Sequence, residues 1–495
     1  MTPFDALMAH ARDTYALEQI SGRLGWDQET VMPSGAASQR AVEVGAMAGV
    51  LHARNTDPQI GEWLSQIDES TLNQVEKAQI RHLRRSYTRA GKVPADLTRK
   101  LAAFKSKAQG IWAEARANED VAAFLPTLSE MVALTREEAA CLADGTEGAE
   151  PLYDALVQDY EPGASAASLG AMFDAMRPRL VALTDQVMGA RYQPPALNHR
   201  FEAALQMEIA RELADAFQYD FTRGRMDKAV HPFSSGSGDD ARITTRVEET
   251  DPFNCFYSTI HEVGHACYEL GIDRAYAFTP LAHGVSMGVH ESQSRIYENQ
   301  LGRSKPFTDW LFGRMRAKFG DFGIADEEAF YGAVNRVRKG YIRTESDEVQ
   351  YNLHVLLRFD LERAMISGAL DPQDIEEAWN TRFEADFGTK VDRPSNGCLQ
   401  DVHWSVGFFG YFPTYSLGNV YAGCLNQSMR ADVAVDDGLR AGDASCATTW
   451  LRENVQTHGG LYEPSDVVEK ACGFAPNEGP LLDYLEEKFK RIYRI

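Results

Sequence analysis

The segment His261–His265, with the sequence His-Glu-Val-Gly-His, has the spacing of a zinc-binding motif. Residues four apart on an α-helix lie on one face, so the rings of His261 and His265 can bind one Zn²⁺ together. Glu262 lies about 100° round the helix, close enough to reach a water on that metal. Zinc lowers the pKa of such a water, and a carboxylate can accept its proton during attack on a carbonyl. The motif therefore predicts a catalytic zinc site, and a chance match is the alternative.

The residues around this motif predict the helix that it needs. An apolar stripe recurs at spacings of three and four residues, formed by Phe256, Ile260, Val263, Cys267 and Leu270. A second, mostly polar stripe is formed by Asn254, Tyr257, Ser258, His261, His265 and Tyr268. One face of the helix is therefore expected to be buried while the other lines a cavity. Gly271 is the predicted end of the helix.

A third zinc ligand is predicted downstream, because a catalytic zinc usually has three protein ligands and one open position. Glu291 stands in a predicted helix from Met287 to Gln300, after a loop long enough to bring it back to His265. Adjacent helix residues point about 100° apart, so His290 is an alternative to Glu291 and not a companion. A surface ion pair of Glu291 with Arg295, four residues on, is the non-functional interpretation.

The two histidine-containing segments resemble those of the carboxypeptidase Taq family, which are zinc carboxypeptidases. Six further segments match this family in the expected order along nearly the whole chain. They are Trp26–Pro33, His231–Phe233, Asp240–Thr244, Ile342–Asp347, Gly397–Trp404 and Gly410–Gly418. One departure is visible at Ser346, where the family more often has alanine. This change is small and puts little of the resemblance in doubt.

The composition is consistent with a cytoplasmic enzyme. The chain has 495 residues and a net charge of −22, and it lacks long basic runs, so nucleic acid and anionic membranes are not expected as partners. No stretch approaches the roughly 20 apolar residues of a membrane span, and no secretory signal is recognisable. The seven cysteines are scattered without CxxC spacing, which is typical of reduced thiols in the cytoplasm.

The pattern of apolar residues predicts a mainly α fold with one small sheet. Asp144–Pro151 is predicted to be a loop between two helical blocks. No linker is obvious, so residues 1–495 are expected to form a single peptidase domain with a deep substrate cleft. Its predicted parts are a helical N-terminal part (about 1–225), a small sheet (about 231–249), the zinc helices (about 254–300) and a helical C-terminal part (301–495).

The predicted sheet lies just before the zinc helix. A tight loop at Ser234–Gly238 is followed by Ala241–Val247, a segment rich in β-branched residues. An exposed strand edge beside a zinc helix could pair with an extended peptide through backbone hydrogen bonds, and a small structural hairpin is the alternative. The family resemblance implies that Asp240, Arg242 and Thr244 belong to the active-site cleft.

A carboxypeptidase must recognise the free carboxylate at the end of its substrate. Arginine suits this role because its planar fork can bind both carboxylate oxygens. The chemistry does not select one of the many basic residues, but the resemblance points to Arg343, with Arg242 as its rival. A salt bridge from Arg343 to Asp347, four residues on, is the structural interpretation and can coexist with substrate binding.

The resemblance also suggests groups for the oxyanion that develops during peptide hydrolysis. Similar zinc peptidases with helical folds use a histidine and a tyrosine for this purpose, which makes His403, Tyr411 and Tyr415 the candidates. Without the resemblance, all three would be interpreted as core residues whose polar groups are paired.

Together, these features predict a zinc metallocarboxypeptidase that releases single residues from peptides with a free C-terminus. The resemblance further implies broad side-chain preference, poor cleavage beside proline, activation by Co²⁺ and a homodimer. A related zinc oligoendopeptidase or a dipeptidyl carboxypeptidase would carry the same motif and is the closest alternative. A non-catalytic protein with a structural zinc is disfavoured, because such sites have four protein ligands, often cysteines.

Overall fold

Helices form most of the chain in the computed structural model, which describes residues 1–145 and 148–495. The helices before the sheet are α1 (Pro3–Thr30), α2 (Ala37–Asn55), α3 (Pro58–Gln66), α4 (Gln74–Lys92), α5 (Ala95–Asn118), α6 (Val121–Leu142), α7 (Pro151–Val157), α8 (Ala166–Gly189) and α9 (Ala203–Ala216). The helices after it are α10 (Pro252–Gly271), α11 (Met287–Arg295), α12 (Lys305–Phe319), α13 (Glu327–Val334), α14 (Gln350–Ser367), α15 (Ile375–Phe387), α16 (Pro413–Asp432), α17 (Asp436–Arg440), α18 (Ser445–Asn454), α19 (Pro464–Cys472) and α20 (Gly479–Tyr493). The mainly α prediction is confirmed.

The break between the first helical blocks falls where the sequence predicts it. Helix α6 ends at Leu142 and α7 begins at Pro151, on either side of the predicted loop at Asp144–Pro151. Thr146 and Glu147 of that loop lie outside the described residues. None of the described helices combines the length and the apolar character needed to cross a membrane.

The sheet has three strands, β1 (Met226–Lys228), β2 (Ser234–Ser237) and β3 (Asp240–Thr245). Strand β3 lies in the middle, parallel to β1 and antiparallel to β2. The prediction of β3 is confirmed within two residues at its end, but the prediction of a tight loop at Ser234–Gly238 is wrong, since most of it is β2. Strand β1 was not predicted. Both errors have one cause, because these partners are short and poor in β-branched residues.

The predicted exposed edge at Arg242 is also wrong. Ser235 of β2 pairs opposite Arg242 on one side of β3. On the other side, the backbone N–H of Ile243 donates to the Arg225 carbonyl at 2.9 Å. The outer strands β1 and β2 therefore hold the hydrogen-bonding groups that a peptide would need, and β3 has none to offer.

Helix α1 packs on this sheet through the Trp26 segment. The Trp26 ring contacts two guanidinium groups, with Arg225 at 4.9 Å and Arg242 at 4.7 Å from the ring centroid. Arg23, one turn earlier, donates to Asp240 at 3.0 Å. Trp26 is buried. These cation–π and ionic contacts attach the N-terminal helix to the central strand.

Helix α10 carries the His261–His265 motif and has clear sequence signals at both ends. Asp251 caps its first turn by accepting from the N–H of Phe253, and Pro252 takes the first helical position. The helix ends at Gly271, as predicted. Its apolar stripe is largely buried, but Tyr257 and Tyr268 of the predicted polar face are buried too. The rest of that face, at Asn254, Ser258, His261 and His265, is half-buried.

Helix α11 begins at Met287 as predicted, where the Ser286 side chain accepts from the N–H of Val289. The predicted helix to Gln300 continues two residues further, but from Ile296 to Gly302 it is a π-helix. The wider π-turn changes which side chains share a face with α11. A pattern of apolar residues cannot distinguish this segment from ordinary α-helix, because the two periods differ too little over two turns.

Two glycines let the neighbouring helices approach α11 closely. A methyl group at Gly264 of α10 would lie 2.6 Å from the Gln293 carbonyl oxygen and 2.7 Å from the Ser294 Cα. A methyl group at Gly418 of α16 would lie 2.6 Å from the Cβ of Glu291. Any larger side chain at either position would push a helix away from Glu291.

We expect Gly418→Ala to destabilise the protein by about 1–3 kcal/mol, because the methyl group overpacks the α11–α16 contact. The matched control is Gly313→Ala in α12, where an added methyl meets no atom within 4 Å. Removing a helical glycine there should leave stability unchanged or raise it by up to about 1 kcal/mol. Denaturant unfolding of both variants measures the difference. Equal stability of the two variants would contradict the close-contact role of Gly418.

Candidate functional site

Three side chains converge between α10 and α11. One ligand atom each from His261, His265 and Glu291 lies within 4.8 Å of the other two. Glu291 Oε2 is 3.7 Å from the Nε2 of His261 and 3.4 Å from the Nε2 of His265. Two ligands about 2 Å from one tetrahedral metal lie about 3.3 Å apart. The observed spacing therefore fits a small divalent cation held by two imidazoles and one carboxylate.

The carboxylate of Glu291 is oriented by a neighbour on its own helix. Arg295 Nε donates to Glu291 Oε1 at 2.6 Å, and Ser294 donates to Oε2 at 3.1 Å. Oε2 is the oxygen that faces both histidines. Burial opposes the ionisation of Glu291, but Arg295 and His261 hold its pKa well below the usual range. The ion pair with Arg295 is thus formed in the interior, and it leaves one anionic oxygen for a cation.

Each histidine has a partner on the ring nitrogen that faces away from Glu291. His261 Nδ1 lies 3.0 Å from Glu298 Oε2, in the π-helical segment. His265 Nδ1 lies 2.6 Å from His290 Nδ1, and His290 Nε2 lies 2.9 Å from Glu269 Oε1. Such partners hold metal-binding imidazoles in position. His290, the sequence-based rival of Glu291, sits behind a ligand in this arrangement and does not join the convergent atoms.

Glu262, the predicted general base, is buried beside His261 and is only 7% exposed. Burial raises the pKa of its carboxyl to about 7, while His261 opposes this shift. A divalent cation held by the neighbouring side chains would lower that pKa, because positive charge favours the carboxylate. A carboxyl poised near neutrality can both accept and return a proton.

A second polar cluster is formed by Arg343, Arg358 and Asp401. Arg358 binds Asp401 tightly, with its Nε 2.7 Å from Oδ2, whereas the Nε and Nη2 of Arg343 are both 3.4 Å from Oδ1. The cluster carries two cations and one anion. Arg343 is the cation that the aspartate neutralises less. The alternative interpretation, a salt bridge from Arg343 to Asp347, is not what forms, because Asp347 instead accepts from the N–H groups of Val349 and Gln350.

Tyr351 connects this cluster with the convergent ligands. The Arg343 Nη1 donates to the Tyr351 hydroxyl at 3.1 Å. The guanidinium of Arg295, which holds Glu291, lies 4.1 Å from the Tyr351 ring centroid. One tyrosine therefore separates the candidate substrate anchor from the group that orients a candidate metal ligand. The two clusters belong to one site.

The three residues predicted to assist the oxyanion lie together beside Arg343. His403 Nε2 is 3.4 Å from the Tyr415 hydroxyl, and the Tyr411 ring centroid is 5.2 Å from that of Tyr415. The Tyr415 ring also lies 4.6 Å from the Arg343 guanidinium. Burial lowers the pKa of His403 to about 4, with the two arginines adding to the effect and Asp401 opposing it. His403 is thus neutral at physiological pH.

Asp240, Arg242 and Thr244 use their polar groups elsewhere. Arg242 donates to both oxygens of Asp240, at 2.7 and 2.8 Å, and the Thr244 hydroxyl exchanges hydrogen bonds with the backbone of Phe233. Within residues 1–145 and 148–495, no hydrogen bond or ion pair joins them to His261, His265 or Glu291. Their contacts hold β2, β3 and α1 together.

Several groups of the site were not identified from the sequence. Glu269 and Glu298 had usable signals, since Glu269 stands four residues after His265 and Glu298 seven after Glu291, and both spacings return to one helix face. Arg358 and Tyr351 had no such signal, because their partners lie on distant elements. Asp401 was inside a recognised segment but had no role assigned to it.

Comparisons with known proteins point to one family. The model of the carboxypeptidase Taq (M32) metallopeptidase family matches residues 6–489. The thermostable carboxypeptidase 1 of Thermus thermophilus is 39% identical, over 100% of both chains. The carboxypeptidase 1 of Bacillus subtilis is 32% identical, over 99% of this chain and 98% of the other.

Solved structures agree with this similarity. The M32 carboxypeptidase of Deinococcus radiodurans has a TM-score of 0.95 at 36% identity, with 100% of both chains covered. Metallocarboxypeptidase 1 of Trypanosoma cruzi has a TM-score of 0.94 at 32% identity, covering 100% of this chain and 99% of the other. The helical peptidase fold that the sequence resemblance implies is confirmed.

We expect His403 to make the protein less stable as the pH falls from about 6.5 towards 4. The pKa of His403 is about 4 in the folded protein and 6.5 in the unfolded chain, so the unfolded chain binds the additional proton in this pH window. At pH 5 this should lower the free energy of unfolding of the wild type by about 2 kcal/mol, a loss that His403→Gln should not show. Denaturant unfolding of both proteins at pH 7.5 and pH 5, with chelator present, measures the change. A difference between them that is independent of pH would contradict the buried neutral state.

Proposed function

The chain belongs to the carboxypeptidase Taq (M32) metallopeptidase family, and on that premise we propose a zinc-dependent carboxypeptidase that releases single C-terminal residues. The family makes it a metallocarboxypeptidase and hence a peptide hydrolase. Zinc as the native metal and the residue roles below are our proposals. The observation that carries them is the convergence of His261, His265 and Glu291 within 4.8 Å.

His261 and His265 would hold the metal through Nε2, and Glu291 through Oε2. Three protein ligands leave room for water and substrate, as catalytic zinc sites require. When bound, the cation polarises the scissile carbonyl and makes water a better nucleophile. The ionised state of Glu291 and the partners on both Nδ1 atoms support this ligand set.

Glu262 would act as the proton carrier. Its carboxylate accepts a proton from water as the water oxygen forms a bond to the carbonyl carbon of the substrate. It then delivers that proton to the leaving amine as the C–N bond breaks, which restores the carboxylate. The location of Glu262 next to His261, inside the protein, supports this role.

Arg343 would bind the substrate's terminal carboxylate. Its long contacts to Asp401 leave hydrogen-bonding capacity, and the excess positive charge of the cluster favours an anion. Arg242 suits the task less, because Asp240 already occupies both arms of its fork. Asp240 and Thr244 would support the cleft by keeping the sheet in place.

Neutral His403, with Tyr411 and Tyr415, would donate hydrogen bonds to the oxyanion. Their grouping beside Arg343 supports this assignment, since the terminal carboxylate and the scissile carbonyl are one residue apart. The pKa of Tyr415 is raised well above its ordinary value by burial, so its hydroxyl keeps its proton. A protonated hydroxyl can donate to developing negative charge.

Other properties are proposed from the resemblance and the sequence. They are broad side-chain preference, activation by Co²⁺, a homodimer, a single peptidase domain and a cytoplasmic location. The free state of all seven cysteines supports the reducing compartment. An oligoendopeptidase or dipeptidyl carboxypeptidase is the alternative, and a carboxylate anchor at Arg343 favours a carboxypeptidase over an endopeptidase.

Hydrolysis of one peptide as its C-terminal acid and as its amide tests the proposed function. We expect stepwise loss of single residues from the acid only, because only the acid offers a carboxylate to Arg343. A chelator should abolish the reaction and zinc should restore it. Mass spectrometry identifies the products. Equal cleavage of both forms would indicate an endopeptidase, and release of dipeptides would indicate the dipeptidyl enzyme.

Two arginine variants distinguish the candidate anchors. We expect Arg343→Lys to lower kcat/KM for the acid substrate by roughly 10–100-fold, since lysine loses the bidentate contact. Arg242→Lys, the matched control, should change kcat/KM little, because its partner is Asp240. Steady-state kinetics and a thermal unfolding check on each variant provide the measurement. The reverse ranking would assign the carboxylate to Arg242.

A further inference from the structure

A row of three side chains extends from one candidate ligand into the protein. His265 Nδ1 lies 2.6 Å from His290 Nδ1, and the opposite nitrogen of His290 lies 2.9 Å from Glu269 Oε1. Two helices supply the row, since His265 and Glu269 stand one turn apart on α10 and His290 stands on α11. Glu269 is 6% exposed, so its charge is sheltered from water.

With both imidazoles neutral, as metal binding through His265 Nε2 requires, these contacts allow one arrangement of protons. Glu269 is ionised, because His283 and His290 hold its pKa at about 2 although burial opposes this. A carboxylate only accepts, so the proton of His290 must be on Nε2 and its Nδ1 must offer a lone pair. His265 then donates from Nδ1. The lone pair of its Nε2 consequently faces Glu291, as a metal ligand needs.

From this geometry, which rests on the proposed metal site, we propose that Glu269 is a positioning residue that acts through His290. Glu269 selects the tautomer of His290, and His290 selects the tautomer and the ring orientation of His265. The effect of Glu269 on the metal is therefore indirect and passes through one intermediate ring. The other histidine ligand differs, because the carboxylate of Glu298 contacts the His261 ring directly.

The surroundings of Glu269 and His290 hold the row in place. The backbone N–H of Gly284 donates to the same oxygen, Glu269 Oε1, at 3.0 Å. A methyl group at Gly284 would lie 2.7 Å from the His290 ring, so only glycine lets this loop close over it. Tyr268 packs on the same ring at 5.2 Å between centroids. These contacts restrict the rotation of His290.

The zinc affinity of the apoprotein tests the proposal without relying on turnover. We expect Glu269→Gln and His290→Phe each to raise the Kd for Zn²⁺ by about 10–100-fold, the usual effect of removing a partner of a ligand. The double variant should bind little more weakly than the worse single variant, because Glu269 acts only through His290. Competition with a chromophoric chelator measures each Kd. Either single variant alone is informative if the other does not fold.

Two further variants separate positioning from packing. His290→Gln keeps an acceptor for His265 and a donor for Glu269, so it should bind Zn²⁺ more tightly than His290→Phe. His283→Gln is the matched control, since His283 lies 3.6 Å from the other oxygen of Glu269, and glutamine keeps a donor there while the bond to His290 stays intact. Its Kd should stay near that of the wild type. Circular dichroism of each apoprotein verifies the fold.

The outcomes distinguish this role from the proposed function. A wild type that binds no zinc would contradict the metal site itself. A wild type that binds zinc, with Glu269→Gln unchanged, would overturn only the positioning role. Additive losses in the double variant, or a loss in His283→Gln equal to that in Glu269→Gln, would also overturn it, because the carboxylate would then act by another route.

Discussion

The close approach of α10, α11 and α16 at Glu291 is the constraint on which the site depends. Gly264 admits the backbone of α11 on one side, and Gly418 admits the Cβ of Glu291 on the other. Packing this tight fixes where the carboxylate stands relative to His261 and His265, because interiors do not deform continuously. The ligand geometry therefore depends on the absence of a side chain at Gly264 and Gly418 as much as on the ligands themselves.

Buried charge is the second organising feature of the site. Three largely buried carboxylates at the candidate site each have a cationic or donating neighbour, as the cost of burying an unpaired charge demands. Arg295 holds Glu291, Arg303 and His261 contact Glu298, and His290 contacts Glu269. The charges of the Arg343–Arg358–Asp401 cluster do not balance in this way, since it has two cations and only one anion. That imbalance is costly for stability and suits a site that binds a carboxylate.

The position of the sheet beside the zinc helix suggests that it binds the peptide, but its polar side chains instead contact helix α1. Asp240 and Arg242 of its central strand face α1. There Arg23 donates a hydrogen bond to Asp240, and the Trp26 ring makes a cation–π contact with Arg242. The two strands that flank the central strand pair with both of its edges. The segments around Trp26 and Arg242, which the family resemblance singles out, thus contact each other. They attach the N-terminal helices to the part of the molecule that carries α10.

The sequence by itself determined whatever depends on neighbours within a few helical turns. The start and end of α10, the shared face of His261 and His265, and the pair of Glu291 with Arg295 all follow from spacing. Recognition of the family segments added Arg343 and His403, which local chemistry could not have selected.

Only the tertiary structure decided which distant groups meet. Asp401 replaced Asp347 as the partner of Arg343, and short strands enclosed β3, because both outcomes depend on pairing between separate elements. The π-helical form of the turn after α11 and the contact between His290 and Glu269 also lie beyond sequence periodicity, although the spacing of Glu269 and Glu298 gave a local signal. Side-chain contacts of this kind are fixed by how helices pack, and that information is spread over the whole chain.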